Sequence, residues 1–479
     1  MSIPIESVCV KKMLHGVAGL AAAFTLTVSS VVSQELRLEP HQELARDLFQ
    51  ELIEINTTES EGTAPAAEAM KRRLLAAGFP EEDVQIVGPN AQKVNLVARL
   101  RGRDTGRAPI LLLAHLDVVE ALRSDWTLDP WTFTERDGYY YGRGVTDDKD
   151  EAAIYTANLI RYKEEGFVPD RDIIVALTAD EEGGPANGVQ WLLENRRDLI
   201  DAEYALNEGG GGALKNGVHQ LNSVQASEKV YQNFNLRATN PGGHSSLPRD
   251  DNAIYELASV LTRISQYDFP VMLNEVTEAY FRGTADVEGG AIAEDIRSVL
   301  ENPENDRAVR RLQAFPHLNA RLRTTCVATR LSGGHADNAL PQTAEALVNC
   351  RILPNHNPAQ VLLTLRELAG SRVEVTAVGQ PNPSPPSPLT PEVLGPIERI
   401  TEEMWPGVPV VPVMSTGATD GLYLRRAGIP TYGVSGLFGD VDDNRAHGQD
   451  ERILIESFYE GQEFLYRLVK ALASTTTAF

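Results

Sequence analysis

Short apolar runs closed by turn residues recur through the first half of the chain. Residues 110–113, 173–177 and 204–206 are too short and too tightly flanked by turn formers to be core helices, and are predicted as buried strands. Before them Leu44, Leu48, Leu52 and Ile55 repeat at helical spacing, and a second helix is predicted to start near Thr63 and stop at Gly78. Strands and helices alternate to about residue 215, the order of a doubly wound or closely related α/β architecture. From about Asn222 the period changes. Strand (231–238), helix (254–264), two strands (325–331 and 344–353), helix (358–368) and strand (372–378) follow in the β-α-β-β-α-β order of a self-contained ferredoxin-like unit. A polar stretch at 274–322, helical in parts, interrupts it between its first helix and second strand. A proline-rich run at 381–388 cannot build a core and is a semi-rigid connector back to the first unit, which resumes near Leu389 and includes a strand at 431–434.

At 479 residues the chain exceeds one ordinary domain, and its 42% hydrophobic and 23% charged content is globular. A formal charge of −23 argues against nucleic acid or an anionic membrane as partner, though a locally positive site could still capture an anionic substrate. Lys11 and Lys12 precede a largely apolar stretch ending in Val31-Val32-Ser33-Gln34, the pattern of a cleaved export signal, so a secreted or periplasmic location is expected. Thr25, Thr27, Ser29 and Ser30 dilute that stretch, which leaves the alternative of an uncleaved anchor marginal for spanning a bilayer. Nothing later reads as transmembrane, so no stable membrane insertion is expected after signal removal. Cysteines are confined to Cys9, Cys326 and Cys350, with no Cys-x-x-Cys, which rules out thiolate metal sites. Cys326 and Cys350 fall on two predicted strands, where they could pair in an oxidising periplasm or stay as buried thiols.

Candidate chemistry follows the apolar runs. Ala114-His115-Leu116-Asp117, Thr146-Asp147-Asp148-Lys149, Ala179-Asp180-Glu181-Glu182-Gly183-Gly184 and Leu206-Asn207-Glu208-Gly209 are joined by a late histidine, His447. Singly each is weak, since His-x-Asp is frequent and a pair such as Glu181-Glu182 can simply complement a helix N-terminus. As an ordered set they predict a two-metal site, because strand ends in an open α/β sheet converge on one crevice. Oxygen and imidazole donors suit zinc, or cobalt or manganese in its place.

These segments, the run from Trp126 to Lys149 with its Tyr141-Gly142-Arg143-Gly144-Val145-Thr146-Asp147-Asp148-Lys149 ending, and Gly242-Gly243-His244-Ser245-Ser246 together resemble one family. It is the aminoacylase and carboxypeptidase G family of co-catalytic dizinc metallopeptidases, which includes succinyl-diaminopimelate desuccinylase and the carnosinases. The resemblance begins near Leu44 and implies a two-domain α/β fold, with a dizinc exopeptidase-like catalytic domain and an inserted ferredoxin-like lid and dimerisation domain. The expected layout is signal 1–33, catalytic domain 34–221 and 381–479, and lid 222–380 with its insertion at 274–322.

Carried over by position, the resemblance makes His115 and Glu208 ligands of one zinc, Glu182 and His447 ligands of the other, and Asp147 the bridge. Asp117 would orient the His115 imidazole. Glu181, pointing away from the metals, would be the general base. Asp148 competes for the bridging role, but the family's Gly-Arg-Gly-x-x-Asp-x-Lys spacing selects Asp147. Many relatives have glycines after that lysine, whereas Asp150-Glu151 stands here and leaves the local backbone course open. His244 is implied to reach the partner subunit's site in a homodimer and stabilise the oxyanion, the alternative being an ordinary turn histidine. Arg351 and Asn338 match positions that hold the substrate's carboxylate, although Arg351 could instead form a surface ion pair. Gly417 and Thr419 match a loop whose backbone lines the substrate pocket.

The implied activity is hydrolysis of an amide bond in a dipeptide, a peptide C-terminus or an N-acyl amino acid, releasing a free amino acid. Two alternatives compete with it. A dizinc aminopeptidase shares the ligand pattern, but the exported type lacks the inserted lid. A non-catalytic metal-binding protein of the same fold would have no use for Glu181.

Overall fold

Parallel strands carry the candidate residues. Ile110–His115 pairs in parallel with Ile173–Thr178 on one side and Tyr204–Asn207 on the other, and Thr431–Gly433 continues beyond Tyr204–Asn207. The first three are buried along their whole length, as strands covered on both faces must be. Leu111, Leu113, Ile174, Ala176 and Ala205 pack with Val189, Leu192 and Leu424. Helix Lys149–Glu164 packs against Ile110–His115 and is itself covered by Pro40–Ile53 and Ile455–Ala473. Further strands, several of them antiparallel, extend the sheet to ten, so it is mixed rather than purely parallel. The computed structural model describes residues 37–103 and 106–474, so the expected export signal lies outside the described residues. Among those described, no helix is long and apolar enough to cross a membrane.

A separate antiparallel sheet has the order Thr325–Gly333, Thr343–Ile352, Val230–Thr239, Val373–Val378. Helices Ala253–Ser265 and Pro358–Ala369 close one core with it, and burial alternates along Thr343–Ile352 as a half-covered strand requires. This is the expected β-α-β-β-α-β lid. Strand Val218–Glu228 runs past Asn222 within the large sheet, and the chain passes to the lid at Lys229. Cys326 and Cys350 face each other across two lid strands and are disulfide-bonded.

The polar stretch at 274–322 is four helices, Glu275–Glu288, Gly290–Glu301, Asp306–Gln313 and Pro316–Leu322. Phe281, Ile296, Val299, Leu312, Leu318 and Leu322 form a core of their own that closes on Val411 of the large sheet. At Gly283 a Cβ would lie 2.9 Å from a Val411 methyl, so the close approach requires glycine. The insertion therefore packs on the catalytic sheet although it interrupts the lid in sequence. The proline-rich connector is stitched down by Ser387, whose N–H donates to the Ala226 carbonyl (2.7 Å) and whose hydroxyl donates to the Thr431 carbonyl (2.7 Å).

Candidate active site

His115 ends its strand with the imidazole buried. Its Nδ1 lies 2.9 Å from the Asp117 main-chain oxygen, and its Nε2 lies 2.9 Å from Asp147 Oδ1. The Asp117 carboxylate is farther from the ring, 3.8 Å, and accepts instead from the backbone N–H groups of Glu181 (3.1 Å) and Glu182 (3.0 Å). Asp117 thus orients His115 through its carbonyl and clamps the paired glutamates through its side chain.

The turn after Ile173–Thr178 aims those glutamates. Asp180 takes a φ of +56° and is held by the Lys93 ammonium at 2.6 Å. A Cβ on Gly184 (φ +113°) would strike the Asp180 carboxylate at 2.4 Å, so the turn needs glycine there. Glu181 does not point away from the cluster: an oxygen of it lies within 4.8 Å of donor atoms of both His115 and Glu208. His115, Asp147 and Glu182 form a second group at the same spacing. His447 (φ +61°) arrives from the far end of the chain, its Nε2 2.9 Å from both Asp147 Oδ2 and Glu182 Oε1.

These contacts fit metal ions. With Nδ1–H donating to the Asp117 carbonyl, a neutral His115 turns a lone pair toward Asp147 Oδ1, and two acceptors do not approach to 2.9 Å without a proton or a cation between them. Likewise one Nε2–H on His447 would have to be split between two carboxylate oxygens, whereas a cation among the three atoms meets all of them directly. Left to themselves the acids resist ionising together. Burial, then neighbouring negative charge, pushes Glu181 and Glu208 well above the usual carboxylate range and Glu182 up to about 7. Asp147 departs from them: burial opposes its ionisation, but hydrogen bonds from His115 and His447 outweigh it and hold its carboxyl low.

The other candidates lie elsewhere. His244 is exposed on the lid, its Nδ1 2.7 Å from Ser246 Oγ, and the Ser245 N–H donates to the Asn338 carbonyl (3.0 Å). Arg351 is half-buried with its guanidinium stacked 4.7 Å over the Tyr231 ring. Neither His244, Asn338 nor Arg351 joins the strand-end cluster. Gly417 donates its N–H to Ser415 Oγ (3.0 Å). The Thr419 side chain is turned inward: its N–H (3.1 Å) and hydroxyl (3.0 Å) both donate to Glu228, which is paired with Arg425 in the interior.

One supporting residue, Glu451, carries no local sequence signature. Glu451 is buried and accepts from the Arg143 guanidinium (2.6 Å), the Gly144 N–H (3.2 Å), and the Thr146 N–H and hydroxyl (both 2.9 Å). Arg143 also donates to the Gly448 carbonyl (3.1 Å), so this pair ties the segment before Asp147 to the segment after His447. The Asp150-Glu151 departure does not disturb the backbone, because both residues lie within helix Lys149–Glu164 and Glu151 accepts from the Tyr155 hydroxyl at 2.7 Å. Lys149 fixes the helix start through the Leu52 (2.9 Å) and Ile55 (2.8 Å) carbonyls.

Residues 111–471 match the family described as Peptidase family M20/M25/M40. The human N-fatty-acyl-amino acid synthase/hydrolase PM20D1 is 28% identical over 389 residues, covering 78% of this chain and 75% of that protein. Among solved structures, an M20 family metallo-carboxypeptidase from Sulfolobus solfataricus superposes with a TM-score of 0.67 at 19% identity, covering 91% of this chain and 100% of that one. Aminopeptidase PepT from Bacillus cereus gives a TM-score of 0.62 at 16% identity, covering 90% of this chain and 99% of its own. At these identities the structures speak for the fold alone. From a family match that spans most of its length, together with the mixed catalytic sheet, the separate lid and the His/Asp/Glu cluster, the chain belongs to the M20 family of metallopeptidases and amidohydrolases.

Proposed function

We propose that this M20 hydrolase is exported, works with two zinc ions per subunit, and releases a free amino acid from a dipeptide, a peptide C-terminus or an N-acyl amino acid. Asp147 carries the two-metal reading, because its two oxygens each stand 2.9 Å from a different imidazole. His115, Glu208 and Asp147 would hold one ion, and Asp147, Glu182 and His447 the other. Bound there, the ions would polarise the scissile carbonyl and acidify the attacking water.

The remaining steps belong to the chain. Glu181, aimed by the Asp117 clamp, takes a proton from the attacking water at its carboxylate as the oxygen–carbon bond forms. It then delivers that proton to the amide nitrogen as the carbon–nitrogen bond breaks, leaving a carboxylic acid and an amine, and the acid's remaining proton passes to the amine to give a carboxylate and an ammonium. Burial suits Glu181 to this task by raising its affinity for the proton it must take. His244 would donate to the carbonyl oxygen as negative charge develops, in the site of a partner subunit, which its exposed place on the lid favours. Arg351 and Asn338 would hold the substrate's carboxylate. The Cys326–Cys350 disulfide suits an oxidising compartment and supports export.

Substrates blocked at one end separate this reading from an aminopeptidase. N-acyl amino acids are expected to be hydrolysed, and amidating their carboxylate to remove most of the rate. Hydrolysis that requires a free amine and ignores the carboxylate would overturn the proposal.

A further inference from the structure

The large cavity at the strand ends, about 770 Å³, is lined on one side by Asp147 and Glu208 and on another by His317 and Arg321 of helix Pro316–Leu322. The 274–322 insertion thus contributes to the cavity that holds the candidate metal ligands. Arg321 is fixed in place. Its guanidinium stacks 4.7 Å over Tyr280 and donates to the His317 carbonyl (3.0 Å), while Leu318 and Leu322 anchor the helix in the insertion's core. Its Nε is buried without an acceptor, and among the described residues no carboxylate pairs with it.

The other guanidiniums on this wall differ. Arg445 and Arg452 are both spent on Asp443, at 2.8 and 2.6 Å. Behind Arg321, the Lys229 ammonium meets only the Arg323 carbonyl (2.8 Å) and the Thr325 hydroxyl (3.3 Å). Burial first, then the positive charges of Arg321 and Arg351, push Lys229 down to about 7, which places Lys229 in the field of both arginines. A chain with a formal charge of −23 has carboxylates in excess, yet among the described residues none pairs with Arg321, which lines this cavity. A guanidinium fixed on a cavity wall with a buried N–H lacking an acceptor is a ready partner for an anion.

We propose that Arg321 is a specificity residue that recognises a second carboxylate on the substrate, beyond the one assigned to Arg351. The proposal rests on the amidohydrolase reading above and narrows its substrate class to dicarboxylates. The second carboxylate can belong to the released amino acid or to the acyl group, and isosteric pairs distinguish the two: N-acetylglutamate against N-acetylglutamine, and N-succinyl-leucine against its succinamoyl analogue.

For the wild-type holoenzyme, one pair is expected to show a preference in kcat/KM of about tenfold or more for the carboxylate. Arg321→Gln should bring that ratio close to one, and Arg321→Lys, which keeps the charge and guards against misfolding, should retain part of it. No preference in either pair, or a preference that survives Arg321→Gln, would overturn the proposal. If none of the four compounds is hydrolysed, the amidohydrolase reading fails, and calorimetric titration then decides about Arg321 separately. Tighter binding of a carboxylate compound that is lost in Arg321→Gln supports the site, and equal binding within both pairs rejects it.

Discussion

At the strand ends, His115, Asp147, Glu182 and His447 come within hydrogen-bonding distance although they belong to four separate stretches of sequence. Parallel strands fix where the His115 and Glu182 stretches end or turn, and the Arg143–Glu451 pair ties the segment before Asp147 to the segment after His447. The lid presents the opposite case. His244 and Asn338 are joined through a backbone hydrogen bond at Ser245, Arg351 meets the face of Tyr231, and none of them touches the cluster. The strand-end cluster is therefore assembled by the fold of a single chain, while the lid residues lie apart from it, and the proposed role for them requires a second surface to approach.

Glu181→Gln tests the assembled half most severely. It should keep its metal and its fold but slow the chemical step about 10²–10⁴-fold, because an amide cannot accept the water's proton. Comparable turnover at saturating substrate would remove Glu181 from the mechanism. Glu451→Ala strands the buried Arg143 charge and should lower unfolding stability by about 3–5 kcal/mol in chemical denaturation. An unchanged midpoint would show that the brace between the Asp147 and His447 segments is dispensable.

On the lid, His244→Ala should cost about 10²–10³-fold in kcat, the worth of one oxyanion donor. Mixing it with Glu181→Gln should restore activity, since each heterodimer then contains one complete composite site. A monomeric mass together with no complementation would reject the trans arrangement. Arg351→Ala should lose about 2–5 kcal/mol of transition-state stabilisation. Amidated substrate should be nearly as poor for the wild type as for Arg351→Ala, because both changes remove the same contact. If the two penalties multiply, Arg351 serves the lid alone.

Sequence and structure agree best where a local pattern is strong. The apolar runs at 110–113, 173–177 and 204–206 appear as strands Ile110–His115, Ile173–Thr178 and Tyr204–Asn207, since a short run closed by turn formers leaves the chain little choice. The lid elements fall within one or two residues of their expected ends for the same reason. Glu451 was illegible because its partners lie some three hundred positions away and a lone glutamate has no periodicity. The orientation of Thr419 depends on Glu228, a contact across two segments that no local motif encodes. At 274–322 scattered apolar residues at helical spacing are diluted by charge, so composition shows a polar stretch where the fold places four helices against Val411.

The most direct measurement is elemental analysis of the purified protein beside its Asp147→Ala variant, each assayed for hydrolysis in the same preparation. The expected result is about two zinc ions per wild-type chain, with metal and activity lost together when the carboxylate shared by His115 and His447 is removed. Full dizinc occupancy with undiminished activity in Asp147→Ala would contradict the account.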